Sequence, residues 1–330
     1  MATNNLSLLR NFLNTLPNNS IYSLAINGIG KNDIDASYLF NNYQNLNKIT
    51  SLNITYNITN MNYIFNNCYN LTTIPNFDTS NVTNMGHMFF NCANIITIPN
   101  FDTSNVKYMG YTFCKCTNLT TIPNFNTSKV TTMYGTFNNC YNLQEIPNFD
   151  TSNVNSSMHG IFDNCRSLQT IPNFNTINVN GTSQMFQNCY NLINVPNFNT
   201  SNVTNMSSMF RGCYNLISIS NFNTINVKTM QGMFSYCYNL TTVSNFDTSN
   251  VTNMSSMFYS CTNLIKVPAI YTIKVKDMSH MFQSCSKIQT IPNLNTINVT
   301  NMGTMFQSCF NLIEIPNFNT NNVIQMSYMF

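Results

Sequence analysis

Cysteine is the residue of this sequence with the widest range of chemistry, and its spacing limits what that chemistry is. Eleven of the twelve cysteines recur at steps of 24 residues, apart from one step of 25 between Cys140 and Cys165. This cysteine ladder consists of Cys68, Cys92, Cys116, Cys140, Cys165, Cys189, Cys213, Cys237, Cys261, Cys285 and Cys309. A repeat of this length predicts a solenoid of stacked coils.

The stacking of the coils determines whether the ladder cysteines form disulfides, bind a metal ion or are buried as thiols. Equivalent residues of stacked coils lie about 4.7–4.9 Å apart, but their Cα–Cβ bonds would run parallel, which is poor disulfide geometry. A zinc site needs several ligands that converge on one point, and the sequence contains no Cys-x-x-Cys pair. The ladder therefore predicts buried, reduced thiols. The additional Cys114 is expected to face the surface and to react quickly.

Other residues that could perform catalysis are few and scattered. His87, His159 and His280 fall several coils apart, so they cannot meet in one site. Acidic residues recur at one turn position, where asparagine replaces them in other coils, so turn formation explains them better than a calcium site does. These acids are Asp78, Asp102, Asp150 and Asp247. Phosphate-binding loops and nucleophile elbows are absent from the sequence. We therefore expect no enzymatic activity and no cofactor.

One repeat, residues 203–222, indicates the elements that position these side chains. Apolar residues recur at about every third position, which fits neither a long helix nor a regular strand. Met206–Cys213 is predicted as a short helical or 3₁₀ segment and Leu216–Ile219 as a short strand, with turns between them. The fold class is therefore a repeat solenoid of about twelve 24-residue coils with a parallel sheet.

The two ends of the chain depart from the repeat. Residues 1–39 are predicted as an N-terminal cap with an amphipathic helix that ends at Pro17. Residues 40–330 form the solenoid, in which the first coil is degenerate and has Tyr43 at the cysteine position. The last coil is incomplete, since Phe330 stands three residues before the next cysteine position. We expect further repeats or a capping partner at the C-terminal end, because an open solenoid end exposes apolar side chains.

Charge and hydropathy exclude several classes of partner. Only 7% of the residues are charged and the net charge is +3, so we expect no nucleic-acid partner. No stretch approaches the roughly 20 apolar residues of a membrane helix, so we expect no membrane insertion. Arg10 and several asparagines interrupt the N-terminal apolar positions, so no signal peptide is visible.

Two segments of the repeat carry a family resemblance. Phe-x-x-Cys-x-x-Leu-x-x-Ile-Pro, seen at residues 89–99 and 306–316 with isoleucine for leucine at position 95, resembles the BspA-like leucine-rich repeat of bacterial surface proteins. Asn-Phe-Asp-Thr-Ser-Asn-Val-Thr-Asn-Met, at residues 76–85 and 245–254, is similar to a repeat of mycoplasma surface lipoproteins. The resemblance covers about residues 40–330. It implies a leucine-rich-repeat-like solenoid on a cell-surface or extracellular protein, often linked to adhesion. A virion or an intracellular location stays open, because no leader is visible.

Positions that vary between coils mark the candidate binding surface. The residue after the ladder cysteine is tyrosine in three successive coils, so Tyr190, Tyr214 and Tyr238 are predicted to form an aromatic strip. Such a strip suits sugars or proteins, because the ring is apolar and the hydroxyl polar. The alternative is that the rings only pack laterally within the solenoid. The paired residues between Leu and Ile of each predicted strand form a competing surface, since that face binds ligands in leucine-rich repeats.

One coil differs from the others in sequence and adds a basic patch. The patch comprises Lys266, Tyr271, Lys274 and Lys276. It is either a partner contact or only a solvated variant coil. The sequence as a whole favours a non-enzymatic binding or adhesion solenoid that recognises a protein or glycan on a host or neighbouring cell. The alternative is a structural spacer or virion-fibre module without a ligand site.

Overall fold

The structure is a computed structural model that describes residues 24–26, 34–54, 58–219 and 221–330. The predicted amphipathic helix of the N-terminal cap lies outside these residues. The chain forms two compact units, Met1–Ser156 and Ser157–Phe330. The boundary between them falls within the single 25-residue step of the cysteine ladder. Each unit is a stack of coils.

Four short strands lie near the start of the first unit. They are β1 (Leu24–Ile26), β2 (Ile34–Asp35), β3 (Leu52–Ile54) and β4 (Ile58–Asn60). β1 pairs with β3 and β2 pairs with β4, in both cases in parallel. The parallel pairing is what stacked coils require, because each coil repeats the direction of the previous one.

Beyond these strands, the parallel pairing continues as single bridges between coils. In most of these bridges the residue directly precedes a methionine position, as in Asn84↔Tyr108 of the first unit and Asn205↔Thr229 of the second. The bridges Lys48↔Thr73 and Thr290↔Glu314 lie instead between the Leu and Ile positions, where the strand was predicted. The row before the methionine position differs from the predicted one at Leu216–Ile219. There, Thr241 N–H donates to the Ile217 carbonyl at 3.3 Å, but both Leu216 and Ile219 are buried. Two buried residues three positions apart cannot share one face of a strand, whose side chains alternate.

The predicted helical segment at Met206–Cys213 is a run of tight turns. The amides of Met209, Arg211 and Cys213 each bond the carbonyl three residues earlier, at 3.0–3.2 Å. These are the i→i+3 bonds expected of a 3₁₀ segment. Ser208 and Gly212, however, have positive φ angles of 56° and 74°. Left-handed residues interrupt a helix, so the structure contains no helix among the residues it describes.

The remaining amides of the turn segment join one coil to the next. Ser208, Phe210 and Gly212 donate to carbonyls of the following coil at 2.7–3.0 Å. Amides therefore alternate between closing a turn within the coil and bonding the neighbouring coil. Positive φ angles at the equivalent positions of other coils, such as His280 and Ser284, repeat this arrangement.

Ladder cysteines within each unit donate to a buried carbonyl of the preceding coil. The Phe210 carbonyl accepts the Cys213 amide at 3.0 Å and the Cys237 thiol at 3.1 Å. The phenylalanine rings of this row also stack, with the Phe210 and Phe234 centroids 5.8 Å apart. A thiol fills little volume and still donates a weak hydrogen bond. This combination explains why cysteine recurs at a fully buried position.

Cys114 contradicts the prediction that it faces the surface. Its side chain is only 3% exposed. The residues at the same position of the adjacent coils are Phe90 and Asn138, whose longer side chains flank the short thiol, and the Cys114 Sγ lies 3.6 Å from the Asn138 side-chain oxygen. The prediction was wrong because a small side chain is covered by its longer neighbours in the stack. None of the twelve cysteines, all of which lie among the described residues, forms a disulfide, and only Cys309 is partly exposed.

A cysteine-to-alanine substitution tests whether a ladder thiol stabilises the fold by donating to a buried carbonyl. Cys213→Ala removes the 3.1 Å thiol donor of the buried Phe186 carbonyl, which keeps its bond from the Cys189 amide, so we expect a loss of about 0.5–1.5 kcal/mol in the free energy of unfolding. Cys309→Ala removes the same kind of bond, but at a partly exposed position where water can replace the donor. Its loss should be smaller. Urea denaturation measures both variants, and equal losses would contradict this role of the thiol.

Alkaline pH should destabilise the fold through the same thiols. Burial raises the pKa of Cys68 to about 12 and that of Cys309 to about 11. Unfolded thiols lose their protons near pH 8.5. The folded chain then binds more protons than the unfolded chain, so stability is complete below about pH 8.5 and declines as pH rises towards the folded pKa values. The decline is about 1.4 kcal/mol per pH unit for each deeply buried thiol. Urea titrations between pH 7 and 10 measure this slope, and a flat profile would disprove it.

Candidate functional site

The structure brings the three predicted tyrosines together as a continuous stack. The ring centroids of Tyr190 and Tyr214 are 4.4 Å apart with an interplanar angle of 3°. Those of Tyr214 and Tyr238 are 4.9 Å apart at 29°. The stack follows directly from the repeat, because each tyrosine comes one residue after a ladder cysteine whose position in the coil is fixed.

Stacking determines which part of each tyrosine meets solvent. Tyr190 and Tyr214 are half-buried, whereas Tyr238 at one end of the strip is 37% exposed. Burial, followed by the neighbouring Tyr190, raises the pKa of Tyr214, so this phenol keeps its proton to a higher pH than an ordinary tyrosine. Both faces of Tyr214 are covered by rings, so the strip offers ring edges and hydroxyls rather than open ring faces.

Two arginines and two further tyrosines extend this surface. The Arg166 guanidinium carbon lies 5.3 Å from the Tyr190 ring centroid. Arg211 lies 5.4 Å from the centroid of Tyr236, which makes edge contacts with Tyr238 at 6.2 Å and with Tyr259 at 5.0 Å. We call the set Arg166, Tyr190, Tyr214, Tyr238, Tyr236, Arg211 and Tyr259 the Tyr–Arg face. Sequence reasoning missed both arginines and the last two tyrosines, although their fixed offsets from the cysteines could have revealed them.

The structure spreads the predicted basic patch over separate segments of its coil. Lys266 is exposed between Leu264 and Val267, whereas Lys274 and Lys276 flank the buried Val275. The Lys274 ammonium donates to the side-chain oxygen of Asn250 at 2.6 Å. The three lysines therefore belong to different parts of the coil surface.

Tyr271 lies instead at a depression that the sequence change creates. Its side chain is 69% exposed, beside a cavity of about 690 Å³ whose lining includes Phe246, Ala269 and Ile270. Most other coils place Asn and Phe where Ala269 and Ile270 stand, so the smaller side chains leave space. None of the three lysines is among the described lining residues of this cavity.

The first unit contains an aromatic ladder that sequence reasoning did not find. Tyr38, Tyr63, His87 and Tyr111 follow one another at centroid distances of 4.8, 4.3 and 5.1 Å, and Tyr134 continues the row at 5.2 Å. Burial lowers the pKa of His87, so this ring is neutral at physiological pH. The first four residues have φ angles of 55–61°, where bulky side chains are uncommon. A regular spacing of aromatic residues at this turn position was the signal available in the sequence.

Glycine makes room for two rings of this ladder. A Cβ atom at Gly135 would lie 2.2 Å from the Tyr111 ring, and one at Gly110 would lie 3.0 Å from the Tyr134 ring. Gly135 also has a φ angle of +59°. The edge-on contact between Tyr111 and Tyr134 therefore depends on both glycines.

Neither a metal centre nor a membrane span is present in the part of the chain that the structure describes. No group of three or more His, Cys, Asp or Glu side chains is arranged to hold a metal ion there. No helix among the same residues is both long and apolar enough to cross a bilayer. His159 Nδ1 lies 2.8 Å from the Ser183 hydroxyl and His280 Nδ1 lies 2.6 Å from the Thr304 hydroxyl, and these contacts join adjacent coils.

Comparison with known proteins identifies the family. Residues 34–121, 110–211, 190–289 and 264–330 each match the family described as "Mycoplasma protein of unknown function, DUF285". The chain belongs to this family. No curated protein matches the chain.

Solved structures show the same fold at low sequence identity. A leucine-rich repeat protein from Eubacterium ventriosum is 19% identical with a TM-score of 0.52, and the match covers 87% of this chain and 82% of that one. A leucine-rich repeat protein from Bacteroides ovatus is 16% identical with a TM-score of 0.50, covering 89% and 82%. The matches confirm the leucine-rich-repeat-like solenoid and the resemblance to BspA-like proteins.

A glycine substitution tests the aromatic ladder. Gly135→Ala introduces both the clash with Tyr111 and the strain of a left-handed alanine, so we expect a loss of about 2–4 kcal/mol in unfolding free energy. Gly232 has a similar φ angle of +60°, but its nearest neighbour would be the Ser208 hydroxyl at 3.3 Å. Gly232→Ala should therefore cost only about 1–2 kcal/mol. In a Tyr111→Ala background, the cost of Gly135→Ala should fall to the Gly232 value, and no such decrease would disprove the contact.

Proposed function

We propose that this chain is a non-enzymatic binding solenoid of the cell surface, and that the strip formed by Tyr190, Tyr214 and Tyr238 contacts a protein partner. The observation that carries the proposal is the stack of three tyrosines in successive coils, which presents ring edges and hydroxyls in one row. Tyrosine is enriched in protein interfaces because it combines apolar area with a polar end. The resemblance to BspA-like surface proteins supports the location.

A protein partner fits this strip better than a glycan. Sugars bind aromatic residues by lying against the ring face, but the Tyr190 and Tyr214 rings are only 4.4 Å apart and cover each other. Arg166 lies over the outer ring of the same stack at 5.3 Å. Edges and hydroxyls remain, and these suit the side chains and backbone groups of a protein.

A structural spacer is the second candidate, and the regular bonding between coils favours it. In a spacer the repeated rows would serve length and stiffness alone. Threonine hydroxyls such as those of Thr200 and Thr224 bond a carbonyl of the next coil at 2.8 and 2.9 Å, and this ladder needs no ligand. A spacer would bind neither proteins nor glycans, so the two functions differ in a measurable way.

The test is binding of the purified chain to arrays of extracellular proteins and of glycans. Tyr238→Ala changes the most exposed ring of the strip, and we expect it to weaken protein binding about tenfold or more, as for an interface hot spot. Its melting temperature should change little. Tyr69→Ala is the matched control, because Tyr69 also follows a ladder cysteine but Ala93 occupies the next position. We expect less than a twofold effect from the control.

Three results would contradict the proposal. Glycan binding without protein binding would assign the surface to sugars. Equal effects of Tyr238→Ala and Tyr69→Ala would remove the strip from the interface. No binding to either array would favour the spacer.

A further inference from the structure

Two arginines of the Tyr–Arg face are held against tyrosine rings. Arg166 lies over Tyr190 and Arg211 over Tyr236, with guanidinium carbons 5.3 and 5.4 Å from the ring centroids. In each pair the tyrosine belongs to the coil that follows the arginine. Stacking fixes the plane of a guanidinium while its N–H groups remain at the rim of that plane, where they can donate. The two side chains are therefore oriented before any partner arrives.

The exposed charges around this face are positive. In the second unit, the positions from two before to two after each ladder cysteine contain the cations Arg166, Arg211 and Lys287 and a single acid, Asp163. Asp163 is 9% exposed, and its Oδ1 already accepts from the side chains of Asn164 and Gln187. The exposed charge of the face is consequently positive.

The other acids of the second unit belong to different positions of the coil. Asp247 and Asp277 accept the backbone amides of Ser249 and Ser279, each at 2.9 Å, and so act within turns. Glu314 stands on the Leu–Ile segment. The positive character of the Tyr–Arg face is thus a local property in a chain with a net charge of only +3.

We propose that the Tyr–Arg face recognises an acidic segment of a protein, in which a carboxylate accepts paired hydrogen bonds from Arg211 while apolar groups contact Tyr214 and Tyr238. The inference rests on the proposed function and specifies its partner. Planar guanidinium matches carboxylate geometry in a way that lysine does not. Tyrosine and arginine together are the residue types that dominate binding energy at protein interfaces.

The experiment measures the affinity of the chain for a labelled polyglutamate peptide by fluorescence anisotropy. Polyglutamine is the neutral probe, and heparin is the sulfated-glycan probe. We expect binding of polyglutamate but not polyglutamine in low salt. Arg211→Ala should weaken it about tenfold, a typical loss for a charge-assisted hydrogen bond. Arg211→Lys keeps the charge but loses the paired donors, so it should weaken binding several-fold.

Lys228→Ala is the matched control, because Lys228 is an exposed cation of the same unit outside the face. It should change the polyglutamate affinity less than twofold. Equal weakening by Lys228→Ala and Arg211→Ala would show unspecific charge attraction and overturn the inference. Heparin binding without polyglutamate binding would overturn it as well.

The array experiment separates this inference from the function on which it rests. If Tyr238→Ala still abolishes protein binding while Arg211→Ala has no effect on any probe, the acidic specificity is wrong and the tyrosine strip keeps its role. Thermal unfolding of each variant confirms that the comparison involves folded protein.

Discussion

The alternating direction of the amides in each turn segment is the constraint on which the other contacts depend. Ser208 and Gly212 adopt left-handed conformations. Their amides and the amide of Phe210 bond the next coil, while the amides of Met209 and Arg211 close turns within the coil. A right-handed helix would direct every amide into its own segment and leave the coils unjoined. A left-handed residue other than glycine costs about 1–2 kcal/mol, comparable to the net gain of about 0.5–1.5 kcal/mol from one hydrogen bond. The stack therefore needs its apolar core as well as its bonds.

The buried carbonyl groups of the core need hydrogen-bond donors, and in this chain with little charge the donors are neutral side chains. The Phe210 carbonyl needs a donor besides its own turn, and the Cys237 thiol supplies it at 3.1 Å. In another turn of the coil, the buried Thr200 hydroxyl donates to a carbonyl of the next coil at 2.8 Å. Small neutral donors satisfy these groups without the desolvation that a buried charge requires.

The repetition of identical side chains also limits the surfaces with which a solenoid can bind a ligand. Identical side chains in successive coils stack on one another, as the tyrosines do at 4.4 and 4.9 Å, and so cover the faces that a ligand would use. We therefore expect binding, as proposed for this chain, where the repeat changes. Tyr238 is the last ring of its strip and is exposed. Arg211 packs against the ring of Tyr236 in the next coil. Tyr271 borders a depression that smaller neighbouring side chains leave.

The sequence by itself determined the period, the buried rows and the family, because a 24-residue recurrence of apolar residues leaves few architectures other than stacked coils. It also placed Tyr190, Tyr214 and Tyr238 in one row. Only the tertiary structure decided which amides join neighbouring coils, since that depends on the sign of φ at single residues. It alone decided that Cys114 is buried, because burial of a short side chain depends on the lengths of its neighbours one coil away. The same holds for the arginines, whose partners are rings 24 or 25 residues further along the chain.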